Sequence, residues 1–167
     1  MQQFLIPARR AKLLEDRKVL EPLCERLGCS IAVQNGNEVV ITGEPYEEYN
    51  ARNVVQAFAR GFELNTAYKL LSDDYFFKST DMRDMFRNED RIKRIKARII
   101  GKEGRSKSYM QSVSGAELSV YGDTVSMIGT VDEIKIMSAA VDVLLEGGTH
   151  KKAYFLMEKT KKGIRRG

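Results

Sequence analysis

The 167-residue sequence has no tryptophan, one histidine and two cysteines. Each scarcity removes a class of chemistry. His150 is the sole imidazole and lies far in sequence from any grouped acid or nucleophile, so no Ser-His-Asp or Cys-His arrangement can be assembled. It reads as a surface residue. Cys24 and Cys29 stand five positions apart, which fits no zinc spacing, and no second cysteine pair or histidine cluster accompanies them. They read as buried free thiols, in keeping with a reducing compartment. Paired carboxylates for acid–base work are also missing: Glu15-Asp16 and Asp73-Asp74 are immediate neighbours, and neighbours on a helix or turn point apart. No segment approaches the roughly 18 consecutive apolar residues of a membrane span. Met1–Pro7 lacks a basic region followed by an apolar stretch of signal-peptide length. The expectation is a soluble, cytoplasmic protein that is not an enzyme and holds no metal or cofactor.

What is present is charge, unevenly placed. Residues 1–75 carry a net charge of −2 and residues 76–167 a net of +7, while hydrophobic residues make up 43% of the whole, enough for packed cores. Such asymmetry suggests a polyanion partner for the second half and another role for the first.

The basic half contains Ile99-Ile100-Gly101-Lys102-Glu103-Gly104-Arg105-Ser106-Lys107. A periodic apolar segment runs into two glycines three positions apart, and a second helical pattern begins directly after them. Glycine at both ends lets the backbone turn sharply and approach a ligand closely. The following helix starts at the loop, with amides and the positive end of its dipole aimed outward. Lys102, Arg105 and Lys107 add positive charge. The turn suits a sugar-phosphate backbone. An isolated Gly-x-x-Gly is also compatible with an ordinary helix-to-helix turn, so context decides. A nucleotide-binding P-loop is excluded, because that needs four residues between the glycines and a following Lys-Ser/Thr.

The context is an internal repeat. Phe4-Leu5-Ile6 predicts a strand ended by Pro7, and Ala8–Leu27 reads as helical, closed by Gly28. Ile31 and Val33, the turn Gln34-Asn35-Gly36-Asn37, then Val39 and Ile41 predict a β-hairpin. Pro45 opens a helix carrying Val54, Val55, Phe58 and Ala59 inward. About 87 residues on, the order recurs: Gly115–Val120 lies over Gly28–Val33, Val125–Gly129 over Val39–Gly43 after one turn residue is lost, and Leu144 over Phe58. In the second unit, Tyr75–Met85 is a candidate first strand. Asp90 is a candidate N-cap for a helix with Ile92, Ile95 and Ile99 on one side and Arg91, Arg94, Lys96 and Arg98 on the other. The same offset puts Leu14-Glu15-Asp16-Arg17 in the slot of Gly101–Gly104. Two carboxylates there would repel phosphate, so the first unit reads as scaffold or protein-docking surface. Thr149 is an acceptable N-cap for a last segment ending in Lys159–Gly167, which reads either as a solvated basic end or as a source of non-specific phosphate attraction.

These residues resemble a known family. Arg98–Lys107 is similar to the Gly-x-x-Gly region of type I KH domains, whose loop clamps single-stranded RNA. Over its whole length the chain resembles the archaeal form of the two-KH small-subunit ribosome-assembly factors, the Dim-two or partner-of-Nob family. The degenerate first loop, Ala57–Glu63 before the connection and Leu144–Gly148 before the tail carry this likeness. The fold class expected is α+β, two tandem type I KH units (β-α-α-β-β-α), each a three-stranded antiparallel sheet packed on helices, plus a C-terminal helix. The boundaries are 1–62, a helical linker 63–75, 76–148, and a basic helix or tail 149–167.

The resemblance implies binding to the 3′ region of small-subunit ribosomal RNA through the second unit. It also implies work beside the Nob-type endonuclease and contact with the alpha subunit of translation initiation factor two. Carried onto this chain, the RNA-binding residues are Gly101, Lys102, Gly104 and Arg105, with Arg94, Arg98, Ile99, Ile100, Glu103, Ser106, Lys107 and Leu118 around them. Glu103 is a departure that weakens phosphate attraction. Bases are expected over a floor of Ile99 and the Leu118–Val120 strand, with little aromatic stacking, since only Tyr109 and Tyr121 lie near. A protein-interaction scaffold with a vestigial loop is the rival reading. Lys102, Arg105, Lys107 and the Arg91–Arg98 face favour RNA, because a vestigial loop has no reason to keep them.

Overall fold

The computed structural model describes all 167 residues and divides them into two units, Met1–Ser72 and Asp73–Gly167. The first runs β1 (Gln2–Leu5), α1 (Ala8–Leu14), α2 (Arg17–Leu27), β2 (Ser30–Gln34), β3 (Glu38–Thr42) and α3 (Pro45–Ala59). It ends in α4 (Leu64–Ala67) and a 3-10 turn at Tyr68–Leu71, which pack on α3. The second runs β4 (Phe76–Asp81), one-turn α5 (Met82–Met85), α6 (Glu89–Ile100), α7 (Arg105–Ser114), β5 (Glu117–Tyr121), β6 (Thr124–Gly129) and α8 (Val131–Leu145). It then adds α9 (His150–Arg166), which lies along α8.

Each unit has a three-stranded antiparallel sheet in which the third strand is central, ordered β1-β3-β2 and β4-β6-β5. The repeat holds to the level of register. Ile31 faces Ile41 and Val33 faces Val39 in the first unit; Leu118 faces Met127 and Val120 faces Val125 in the second. These are the pairs that the sequence overlay superimposes. A one-residue slip would turn every apolar side chain to the wrong face, so shared register is a strong sign of shared architecture. The lost residue falls in the turn, Asn35-Gly36-Asn37 against Gly122-Asp123.

Local chemistry changes several sequence expectations. The helical pattern over 8–27 is two helices, because Asp16 turns extended and its carboxylate accepts the Lys18 amide at 3.0 Å, capping α2. Asn88, not Asp90, caps α6, accepting the amides of Asp90 (2.9 Å) and Arg91 (3.1 Å). Asp90 instead sits in the first turn, where a negative charge suits the helix dipole. The candidate strand over 75–85 stops at Asp81, whose carboxylate caps α5 through the Arg83 amide. The basic tail is not loose: it is helical to Arg166. Cutting between Ser72 and Asp73 moves Asp73 and Asp74 into the second unit, so the charges of the units are 0 and +5.

The core of the second unit fixes α6 from below. Ile92, Ile95 and Ile99 pack into one cluster with Met110, Leu118, Met127, Met137 and Leu144, joined by Ala153 and Met157 of α9. Five of the seven methionines are buried there, and their unbranched thioethers fill irregular gaps that no tryptophan is present to fill.

Candidate nucleic-acid interface

The α6–α7 junction is built by three departures from helical geometry within four residues. Gly101 ends α6 at φ 76°, ψ 170°, Glu103 lies at φ 56° and Gly104 at φ 73°. Helix α7 then begins at Arg105 with no side-chain cap and no acid in its first turn. The positive end of its dipole is left for an external anion. The two glycines differ in what surrounds them. A Cβ on Gly101 would stand 2.7 Å from both Cβ and N of Ser106, so that glycine is required by packing. A Cβ on Gly104 would meet nothing within 4 Å, so its bare face opens to the outside. Lys102, Glu103 and Arg105 are exposed, while Ile100, Gly101, Gly104 and Lys107 are half-buried. Glu103 Oε2 accepts from Arg105 Nη2 at 3.4 Å, with both side chains largely in solvent. Such a pair is worth at most about 1 kcal/mol and yields easily to a phosphate.

Behind the loop, α9 acts as a brace. Tyr154 donates its hydroxyl to Ser106 at 3.0 Å, and Tyr109 of α7 donates to Glu158 of α9. That bond to a carboxylate, with burial adding to it, holds the Tyr109 phenol above its ordinary pKa. The two tyrosine rings lie 4.5 Å apart. Lys161 Nζ donates to the Val113 carbonyl at 2.7 Å near the far end of α7. His150 is half-buried, and its Nε2 donates to the Arg98 carbonyl at 2.8 Å, near the last turn of α6. It is a structural tie and not the surface residue expected. Ser106 is buried by these contacts, so its hydroxyl is not available at the loop surface.

The side chains named around the loop divide into three groups. Ile99 and Leu118 are 0% and 2% exposed, so they belong to the core and offer no surface to a base. Ile100 lies on the flank of α6 where Lys96 Nζ reaches Asp123 Oδ1 of the β5–β6 turn at 3.5 Å. Arg91, Arg94 and Arg98 lie on the opposite flank beside Gly147, so the basic face read as one is two. Arg98 Nη2 donates to the Gly148 carbonyl, which ties α6 to the α8–α9 connection.

The β5 edge cannot be read from residue types. β5 is one of the two outer strands of its sheet. The Leu118 amide points away from β6 and donates to Gln111 Oε1 of α7 at 2.8 Å. By the alternation of an antiparallel ladder, Val120 presents its N–H and C=O on that same open edge. These are the donor and acceptor that sequence reasoning missed, because backbone groups leave no mark in residue type.

The first unit lacks this opening. Its equivalent junction, Leu14–Arg17, is closed by Asp16, whose carboxylate already occupies the amide end of α2.

Residues 76–162 match a family description for the second KH domain of Pno1 proteins, a eukaryotic type KH-domain (KH-domain type I). A KH domain-containing protein of Methanocaldococcus jannaschii is 36% identical over 168 residues, spanning 96% of this chain and 74% of that protein. The RNA-binding protein pno1 of Ixodes scapularis is 28% identical, spanning 94% of this chain and 71% of that protein. A chain in the crystal structure of an a/eIF2alpha–aDim2p–rRNA complex from Pyrococcus horikoshii superimposes with a TM-score of 0.87 at 29% identity, covering 97% of this chain and 94% of that one. The chain belongs to the Pno1/Dim2 family of KH-domain proteins.

Proposed function

We propose that the second unit binds single-stranded RNA in the 3′ region of small-subunit ribosomal RNA during its maturation. In this reading the loop Gly101–Gly104 holds the backbone of about four unpaired nucleotides, as KH loops do. The observation that carries it is Gly104: a left-handed residue with open space over its face, at the uncapped start of α7 and between exposed Lys102 and Arg105. Gly101 shapes the turn, and Gly104 lets phosphate approach it. The open edge of β5 at Val120 then offers one donor and one acceptor to a base edge, which supplies selectivity that phosphate contacts cannot.

The assignment to ribosomal RNA draws support from relatives. One, from Aspergillus fumigatus, is named a pre-rRNA-processing protein. The Pyrococcus complex contains rRNA together with a/eIF2alpha. The alpha subunit of translation initiation factor two and a Nob-type endonuclease are the protein partners in this reading, docking on the first unit. Its Asp16-capped junction favours a protein over a phosphate there.

The test is binding of an oligonucleotide copying the small-subunit 3′ end, compared with the same sequence annealed to its complement. A KH-type clamp predicts at least about tenfold tighter binding of the single strand, because duplex bases cannot be splayed onto the β5 edge. Equal affinity for both forms would contradict it.

A further inference from the structure

The flank of α6 turned away from the Lys96–Asp123 side carries a second feature that the loop does not explain. Arg91, Arg94, Ile95 and Arg98 line a shallow groove of about 290 Å³ whose far wall is Gly147. The arginines follow one another at helical spacing, so their guanidinium groups form a single stripe, with Arg91 and Arg98 about 10 Å apart along the axis. Two of the three are positioned in advance. The Arg91 guanidinium lies over the Phe86 ring, 4.3 Å from its centroid. Arg98 is held by the Gly148 carbonyl. No carboxylate lines the groove, and neither Arg91 nor Arg94 forms an ion pair. The opposite wall is bare: Gly147 has φ 86°, and a Cβ there would meet nothing within 4 Å.

An uncompensated arginine stripe facing an open backbone wall is a site for a chain of anions. Guanidinium groups bind phosphate in a forked, bidentate manner, and preorganised ones lose little freedom in doing so. The stripe also has a direction. Arg98 lies three residues before Gly101, so a strand leaving the loop along this flank meets Arg98, then Arg94, then Arg91.

We propose that this groove is a second phosphate track, which carries the RNA backbone beyond the nucleotides held at Gly101–Gly104. The inference rests on the RNA-binding reading of the loop and adds a longer footprint with a separate electrostatic contribution. Arg98 belongs to the fold as well as to the track, so the informative substitutions are Arg91→Gln and Arg94→Gln together.

The experiment uses the full chain and two single-stranded RNAs copying the small-subunit 3′ end, one of about five nucleotides that fills the loop alone and one of about twelve. Affinity is measured across a salt series for the native protein and the double variant. Loss of two phosphate contacts predicts about tenfold weaker binding of the longer RNA and a salt slope shallower by about 1.4, at roughly 0.7 per contact on a single strand. The short RNA is predicted to lose much less affinity than the longer one, because Arg91 and Arg94 line the groove beside Gly147. An unchanged slope with the longer RNA overturns the track while leaving the loop reading intact. An equal loss with both RNAs also overturns it, since the arginines would then serve the loop site itself. If the native protein binds neither RNA, the loop reading falls and the track falls with it.

Discussion

At Gly101 and Gly104 one residue type answers two different demands. Both sit at positive φ, where a side chain costs about 1–2 kcal/mol. Only Gly101 is also crowded, by Ser106. Gly101→Ala is therefore expected to cost about 3 kcal/mol, strain plus overpacking, and Gly104→Ala about 1 kcal/mol, readable as a difference in urea midpoints. Equal costs would mean that the Ser106 contact does not constrain the turn. Glu103 acts in the opposite sense, since its carboxylate occupies Arg105. Glu103→Gln is expected to tighten RNA binding by about two- to fivefold at low salt, with the gain fading as salt rises. A third expectation concerns Cys29: the two cysteines are free but half-buried and not buried as the sequence suggested, and for Cys29 this partial burial is the main factor pushing the pKa up to about 11. At pH 8 it is almost wholly protonated, so alkylation by iodoacetamide should be slow and should quicken steadily toward pH 11; rapid labelling at pH 8 would contradict this. The glycines were legible as residue types. The bond from Arg98 to Gly148 was not, because it joins positions 50 apart that share no local pattern.

At the scale of elements, the loop depends on α9. That helix buries Ala153 and Met157 in the core and touches α7 through Tyr154, Glu158 and Lys161. Met157→Ala is expected to cost about 2–5 kcal/mol by leaving a cavity under the α7–α9 contact. If α9 is a brace, amide exchange in the first turn of α7 should quicken more than exchange in β1–β3; a uniform change would show that the helix serves stability alone. The periodicity of α6 was readable because Ile92, Ile95 and Ile99 fall on one face. Its start was not, since Asn88 and Asp90 are both good caps and only the backbone turn at Asn88 separates them. The break at Asp16 was hidden for a related reason. Apolar residues continue at helical spacing on both sides of it, and the carboxylate that ends one helix by capping the next looks like any exposed acid. The sequence also merged Lys96 with the arginines of α6, although 100° per residue separates the flanks.

For the whole molecule, duplication is the organising fact. Hairpin, register and closing helix recur in both units, and the period-two apolar alternation on either side of a glycine-containing turn makes the hairpins readable in the sequence. The junction of the two helices that precede the hairpin, α1–α2 in one unit and α6–α7 in the other, is where the units differ in chemistry. One is capped by Asp16 and the other is left open at Gly104. In the proposed reading, an uncapped helix start between cations in one unit and a self-capped one in the other divide the labour, with RNA at the second and protein contacts at the first. The central claim is thus that phosphate meets the protein at Gly104. The most direct test is RNA affinity of the full chain against Gly104→Asp over a salt series, with thermal unfolding alongside. Aspartate tolerates the left-handed conformation better than most residues, and its Cβ has open space, so the variant should stay folded with little change in midpoint. The account predicts that such a folded variant loses binding of the single-stranded 3′-end RNA. Binding equal to that of the native protein would remove the loop from the interface and contradict it.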